Sequence, residues 1–350
     1  MATVKLADII DVEIYSAIAP ENNPQSLAFF ESGVVVQTPQ MDTIATGEAE
    51  LVNMPFWRDL DITLEPNYSS DADTRSVPNK IVQGRMKAKR ASLNQSWAAR
   101  DLTNEMTMGV DAMTRIKART SFYWMNQLQD RIVATVFGIY KANIIAANAG
   151  QDAGFGITND MVTDVSIDTG VGTSVNFFDS TVFTNARFTM GESVDQLRAI
   201  LVHPNVRKRM QLNDEIDTIQ DSKLAKTIEI YQGHRLITSD KSPVFATTTG
   251  GGLRYVTTLF GAAAIAYGEG APTTPFEMDR DPSIGDGAGE DILYERKTWI
   301  VHPFGHSNQN VTNSAAGGLW QNLADTRLGT NWKRNFFRRN VPIAFIVTNG

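Results

Sequence analysis

His203, His234, His302 and His306 are the only imidazoles in the 350-residue sequence. No two of them form the H-E-x-x-H pair that points to zinc on a helix. His302 and His306 stand four residues apart, a spacing that converges on a metal only from a helix. Pro303 and Gly305 lie between them, which predicts the end of a strand and a structural role for both rings. The run Asp279-Arg280-Asp281-Pro282-Ser283-Ile284-Gly285-Asp286-Gly287-Ala288-Gly289-Glu290 carries acidic or hydroxyl side chains at positions 1, 3 and 5 and a glutamate at 12. Those are ligand positions of an EF-hand calcium loop, but that loop needs glycine at position 6, and Ile284 stands there. Pro272 and Pro275 also leave no entering helix, so the expectation is a hairpin turn.

Phosphate cradles and nucleophile motifs fare no better. Gly285-x-Gly287-x-Gly289 and Gly250-Gly251-Gly252 do not follow a strand into a helix, do not spell G-x-G-x-x-G, and have no P-loop lysine. No G-x-S-x-G elbow occurs. With no cysteine, disulfides, zinc–thiolate sites, iron–sulfur clusters and thiol nucleophiles are excluded, which fits a reducing compartment. The sequence therefore predicts no catalytic, cofactor-binding or metal residues. The enzymatic reading left open is a hydrolase built on a carboxylate pair among the 39 acidic residues.

Net charge is −7 with a pI near 5.2, a field that repels nucleic acid and anionic membranes. Two basic clusters run against it, Arg85-Met86-Lys87-Ala88-Lys89-Arg90 and Lys333-Arg334-Asn335-Phe336-Phe337-Arg338-Arg339. In an acidic protein, salt bridges between subunits are the preferred reading and nucleic-acid contact the alternative. The N-terminus lacks the basic and apolar regions of a signal peptide. No stretch of 18 apolar residues is present, so a soluble chain is expected.

The elements that carry these residues have an unusual order. Residues 1–57 alternate short apolar patches with breakers; Gly33–Thr38 and Leu51–Trp57 read as short extended pieces. Residues 58–92 hold few large apolar side chains and two turn signals, and between Ile62 and Met86 the pattern suits a long exposed hairpin. From Asp111 to about Ala146 there is no proline and only one glycine, Gly138, and Met113, Ile116, Tyr123, Trp124, Leu128, Ile132, Val136, Phe137, Tyr140 and Ile144 recur at helical steps on one face. Such a helix is about 54 Å long. Asn148–Asn159 is a Gly-rich break. Residues 160–270 read as mixed α/β, with helices at Phe178–Met190, Ser193–Arg198 and from Pro204, and strands at Ala199–His203, Ile228–Tyr231, Arg235–Thr238, Leu253–Phe260 and Ala262–Tyr267. Strands at Phe276–Arg280 and Ile292–Val301, a helix at Leu319–Arg327 and a strand at Val341–Val347 complete the chain.

An arm, a long hairpin, a very long helix, a compact α/β unit and returning strands make a poor monomer unless neighbours cover them. In this order they resemble the major capsid proteins of tailed bacteriophages, the HK97-like fold. Local strings are similar as well: Ala199-Ile200-Leu201-Val202-His203-Pro204-Asn205-Val206, Tyr231-Gln232-Gly233-His234-Arg235-Leu236-Ile237, Leu259 to Gly268, and Arg296 to Gly305. The resemblance implies an α+β subunit with an N-terminal arm (1–57), an extended loop (58–92), a peripheral domain with a spine helix (93–149), an axial domain (150–270), and returning peripheral strands with the C-terminus (271–350).

By the same resemblance the chain assembles with itself into hexamers and pentamers of an icosahedral head enclosing double-stranded DNA. A scaffolding protein, a portal and a cement protein are the implied partners, with no membrane and no cofactor. The scaffold is expected to be a separate protein, because the arm begins almost at Met1 without an acidic helical prefix. The expected location is the virion, and the host cytoplasm before assembly. An encapsulin-like compartment that holds cargo enzyme is the alternative of the same fold.

Overall fold

The computed structural model describes residues 28–47, 49–60, 64–69, 71, 73, 75–102, 112–145, 159–221, 226–309 and 321–350. A short helix α1 (Ala28–Glu31), strand β1 (Val35–Gln37) and helix α2 (Pro39–Thr46) come first. Thr38 caps α2 by accepting from the Met41 amide, and Pro39 takes a first-turn position, where an N–H has no intrahelical acceptor. Then follow β2 (Leu51–Trp57), β3 (Gln83–Arg100) and the long helix α3 (Ala112–Ile144). The next elements are β4 (Val162–Asp164), α4 (Ser180–Phe188), β5 (Leu197–Val202), α5 (Pro204–Leu212), β6 (Ile216–Asp221), β7 (Lys226–Tyr231), β8 (His234–Thr238), β9 (Val244–Ala246) and β10 (Leu253–Gly261). The chain closes with β11 (Ile265–Gly270), β12 (Phe276–Asp281), β13 (Glu290–Pro303), β14 (His306–Asn308), α6 (Leu323–Thr326), β15 (Trp332–Arg334) and β16 (Ile343–Thr348).

These strands make two large sheets. One has the order β1-β11-β13-β3-β2, with β12 also paired to β13. The other has the order β4-β16-β10-β5-β8-β7-β6, with β9 paired to β10. The second sheet is covered on both faces, and its strands show why. Along β16, Ile343, Phe345 and Val347 enter the core beneath α3, while Ala344 and Ile346 enter the core shared with α4 and α5. β5 divides in the same way, Ala199 and Leu201 to one side, Ile200 and Val202 to the other. Side chains that alternate between two dry faces require an unbroken apolar run, which is what both strands contain.

Helix α3 spans both sheets. Trp124 packs edge-on against Trp299 of β13, with ring centroids 5.6 Å apart, and its Nε1 donates to Glu295 at 2.5 Å. Farther along, Val133, Val136, Ile139 and Tyr140 join the core beneath the second sheet. The single-faced helix expected from the apolar period holds for the first half only. From Ile132 to Tyr140 every residue except Phe137 is buried. Gly138 explains the enclosure: a Cβ there would overlap the Thr326 carbonyl and the Trp332 ring, so only glycine lets α6 and β15 close over the helix.

Several expectations are revised by the pairing. The hairpin read between Ile62 and Met86 is paired nearer its base: β2 runs antiparallel to Gln83–Lys89, with Leu51 opposite Lys89 and Trp57 opposite Gln83. Leu51–Trp57, read as arm, is thus one strand of the stem. Periodicity marks a strand but carries no information on its partner. Ser193–Arg198 is not an α-helix, since Gly191–Gln196 forms a 3-10 helix and Leu197 already begins β5. β11, placed by sequence with residues 150–270, lies in the first sheet, and β16, placed with the returning strands, lies in the second between β10 and β4. Of the expected helix Leu319–Arg327, Leu323–Thr326 is α-helical, and residues 310–320 lie outside the described residues.

Candidate functional site

The histidines sit apart from one another except for one pair. His203 precedes α5, where its Nδ1 accepts from the Asn205 amide at 3.2 Å and its ring lies 4.8 Å from that of Tyr255. His234 opens β8 beside Phe183. Burial lowers the pKa of both, aided at His234 by the Arg187 charge. His302 and His306 flank the bend between β13 and β14, where Gly305 takes a left-handed φ of 74°. Both are buried. Burial drives His302 down to about 4 and His306 to about 3, and Arg334 and Arg338 push His306 the same way. His306 Nδ1 lies 3.0 Å from the Phe304 carbonyl. Among the described residues, no three His, Asp or Glu side chains come together as a metal site.

The acidic run 279–290 is a strand, a turn and a strand. Asp279 and Asp281 lie on β12, and Glu290 begins β13 opposite Asp281. Asp281 turns its carboxylate onto Ser283, accepting from its amide at 2.9 Å and its hydroxyl at 2.6 Å; the hydroxyl bond is the main reason its pKa is lowered. Gly285, Asp286, Gly287 and Gly289 all take left-handed φ, so these glycines serve the turn. Glu290 is buried, 3.7 Å from Arg100. Arg280 binds both Asp101 and Asp291. Its charges are thus bound up in the hairpin itself.

The two basic clusters, far apart in sequence, meet. The Lys87 amide donates to Ser307 Oγ at 3.1 Å, Ser307 lies opposite Lys333, and Asn335 Nδ2 donates to the Arg85 carbonyl at 2.7 Å. Much of their charge is engaged within the chain. Lys89 pairs with Glu50 at 2.9 Å and Arg334 with Asp160 at 2.7 Å. Arg338 donates to the carbonyls of Asp160 and Val341 and to Thr189. The expected intersubunit salt bridging is therefore narrowed to the exposed members, Arg85 and Arg339.

The surface that stands out is apolar. Trp57, Leu60, Leu64, Tyr68, Val77, Ile81 and Val82 are all largely exposed, Tyr68 at 83% and Val77 at 77%. All belong to the end of β2 and the loop beyond it. Sequence reading marked this stretch as a long exposed hairpin in which large apolar residues are sparse. It had no signal that those present face outward. Phe276 and Met278 on β12, which is paired on one side only, are exposed too.

No family model matches the chain. Over 345 residues it is 28% identical to the major capsid protein of Bacillus phage SPP1, covering 98% of this chain and 97% of that one. Over its whole length the chain is similar to a phage major capsid protein, and its fold is the HK97-like fold of phage capsids. The fold agrees with solved phage capsids. The cyanophage Pam1 capsid matches all of both chains with a TM-score of 0.57 at 14% identity. The capsid of Ralstonia phage GP4 matches 100% of this chain and 98% of its own with a TM-score of 0.54 at 11% identity. On the single chain the large apolar side chains of the hairpin and of β12 stay exposed.

Proposed function

We propose that this chain builds an icosahedral head from hexamers and pentamers around double-stranded DNA, and that it carries no catalytic site. The observation that supports this most is the apolar row from Trp57 to Val82, which lies exposed on one chain. So many exposed large apolar side chains in one segment mark an interaction site. Repeated by symmetry, it closes rings of subunits. The working division is an arm (1–57), an extended loop (58–92), a peripheral unit (93–149 with 271–350) and an axial unit (150–270), with the stem strand β2 and the shared strands β11 and β16 crossing those borders. A scaffold, a portal and a cement protein are the proposed partners, and the host cytoplasm the place of assembly. A net charge of −7 limits adhesion to the enclosed DNA. Between a phage head and an encapsulin-like compartment, the whole-length similarity to a phage protein favours the head.

Electron microscopy of the purified chain tests the proposal. Closed shells are expected, and Trp57→Lys combined with Val77→Lys should leave folded subunits that no longer close. Discrete small particles from the unmodified chain, or normal shells from the double variant, would overturn it.

A further inference from the structure

A cavity of about 30 Å³ lies where α3 meets the first sheet, and its walls carry cations. Lys89 and Arg90 reach it from β3, Arg131 from α3 and Trp299 from β13. Lys89 is matched by Glu50, and Arg90 donates to the Gly47 carbonyl. Arg131 is different. Its one hydrogen bond is from Nη1 to the Gln321 carbonyl at 3.4 Å, and no carboxylate lies within ion-pair distance among the described residues. Trp299 is 3% exposed, and its indole N–H is buried without an acceptor.

The other polar groups of the lining offer that N–H little. Gln321 Oε1 already accepts from Asn308 at 2.8 Å, Trp332 Nε1 donates to the Thr326 carbonyl, and the hydroxyls of Thr135 and Thr326 donate to Arg131 and Asn322 carbonyls. Three cationic side chains and no carboxylate line the cavity, so positive charge is in excess. A water in the cavity would satisfy the indole but leave the half-buried guanidinium without a counter-charge, and a partly desolvated unpaired charge is costly. About 15 Å³ suffices for one water-sized occupant, so the space suits a monatomic ion.

We propose that this cavity binds one small inorganic anion of chloride size, held by the Arg131 guanidinium and the Trp299 indole N–H. The ion ties α3 to β13 at a point where the chain supplies no carboxylate. It thereby adds to the cohesion of the subunit itself, whatever the subunit builds.

The test uses the full-length chain. Its unfolding midpoint is followed as sodium chloride replaces sodium gluconate at constant ionic strength. A saturable rise of about 2 °C is expected at ten times the dissociation constant. Arg131→Met should abolish it. Trp299→Phe, which keeps an aromatic ring and removes the donor, should weaken it several-fold. Identical curves in the two salts, or a chloride response retained in Arg131→Met, would overturn the assignment. Crystals of the unmodified chain soaked in bromide give a reading that does not depend on any variant folding. An anomalous peak within hydrogen-bonding distance of Trp299 Nε1 is expected, and its absence would mean that the cavity holds only water.

Discussion

Leu128 is placed to report whether α3 is clamped on the first sheet as described. It is 7% exposed and shares a core with Trp124, Ile132 and Trp299. Truncation to alanine removes buried methyl groups and leaves a cavity, a loss of about 3 kcal/mol. Leu128→Asp adds a carboxylate to that cavity. Across the contact stands Glu295, itself an acid, which accepts from Trp124, and one turn along the helix stands the cation Arg131. Desolvation raises the new carboxyl's folded pKa, and the Arg131 charge offsets part of that rise. A rise of about 3 units costs roughly 4 kcal/mol at neutral pH. The sum, about 7 kcal/mol, is comparable to the whole stability of an ordinary domain. The folded state then holds its proton where the unfolded state does not, so stability returns as the pH falls. Between pH 7 and pH 5 about 2.2 kcal/mol should be regained. Denaturant melts of the full chain at both pH values measure this, with Leu128→Asn as the neutral control of similar shape. If the Asp and Asn variants melt alike at both pH values, or if Leu128→Ala costs under about 1 kcal/mol, the face of α3 has been misassigned.

Two further outcomes follow from the packing. Gly138→Ala should cost about 1–3 kcal/mol in a denaturant melt, because the new methyl overlaps Thr326 and Trp332, whereas an exposed helix glycine gains from the same change. His302 and His306, with folded pKa values of about 4 and about 3 against an ordinary 6.5, contribute stability that is complete above pH 6.5. It is lost as the pH falls towards 4, because only the unfolded chain takes up the protons. Melts from pH 8 to pH 4 should show this decline, and His302→Gln with His306→Gln should flatten it.

How much of this was legible in the residues differs by element. The long helix was, since ten apolar residues at helical steps between Met113 and Ile144 admit one reading, and α3 spans Ala112–Ile144. The turn at 282–289 was also legible, because Ile284 spoils the calcium loop and the glycines that follow serve left-handed backbone. Both are local properties, set by period and by φ, and a sequence states them directly. Three things were decided only by the tertiary structure. β2 joins the hairpin stem with β3, and β16 enters the second sheet 82 residues after β10 ends, because strand pairing is a choice among distant partners with equivalent backbones. The second half of α3 is enclosed on all sides, and only the proximity of Thr326 and Trp332 gives Gly138 its meaning. Nothing in the sequence singled out Arg131. Burial beside Lys89, Arg90 and an unpartnered indole is what makes it half of a candidate anion site, since desolvation is a property of surroundings that assemble from separate parts of the chain.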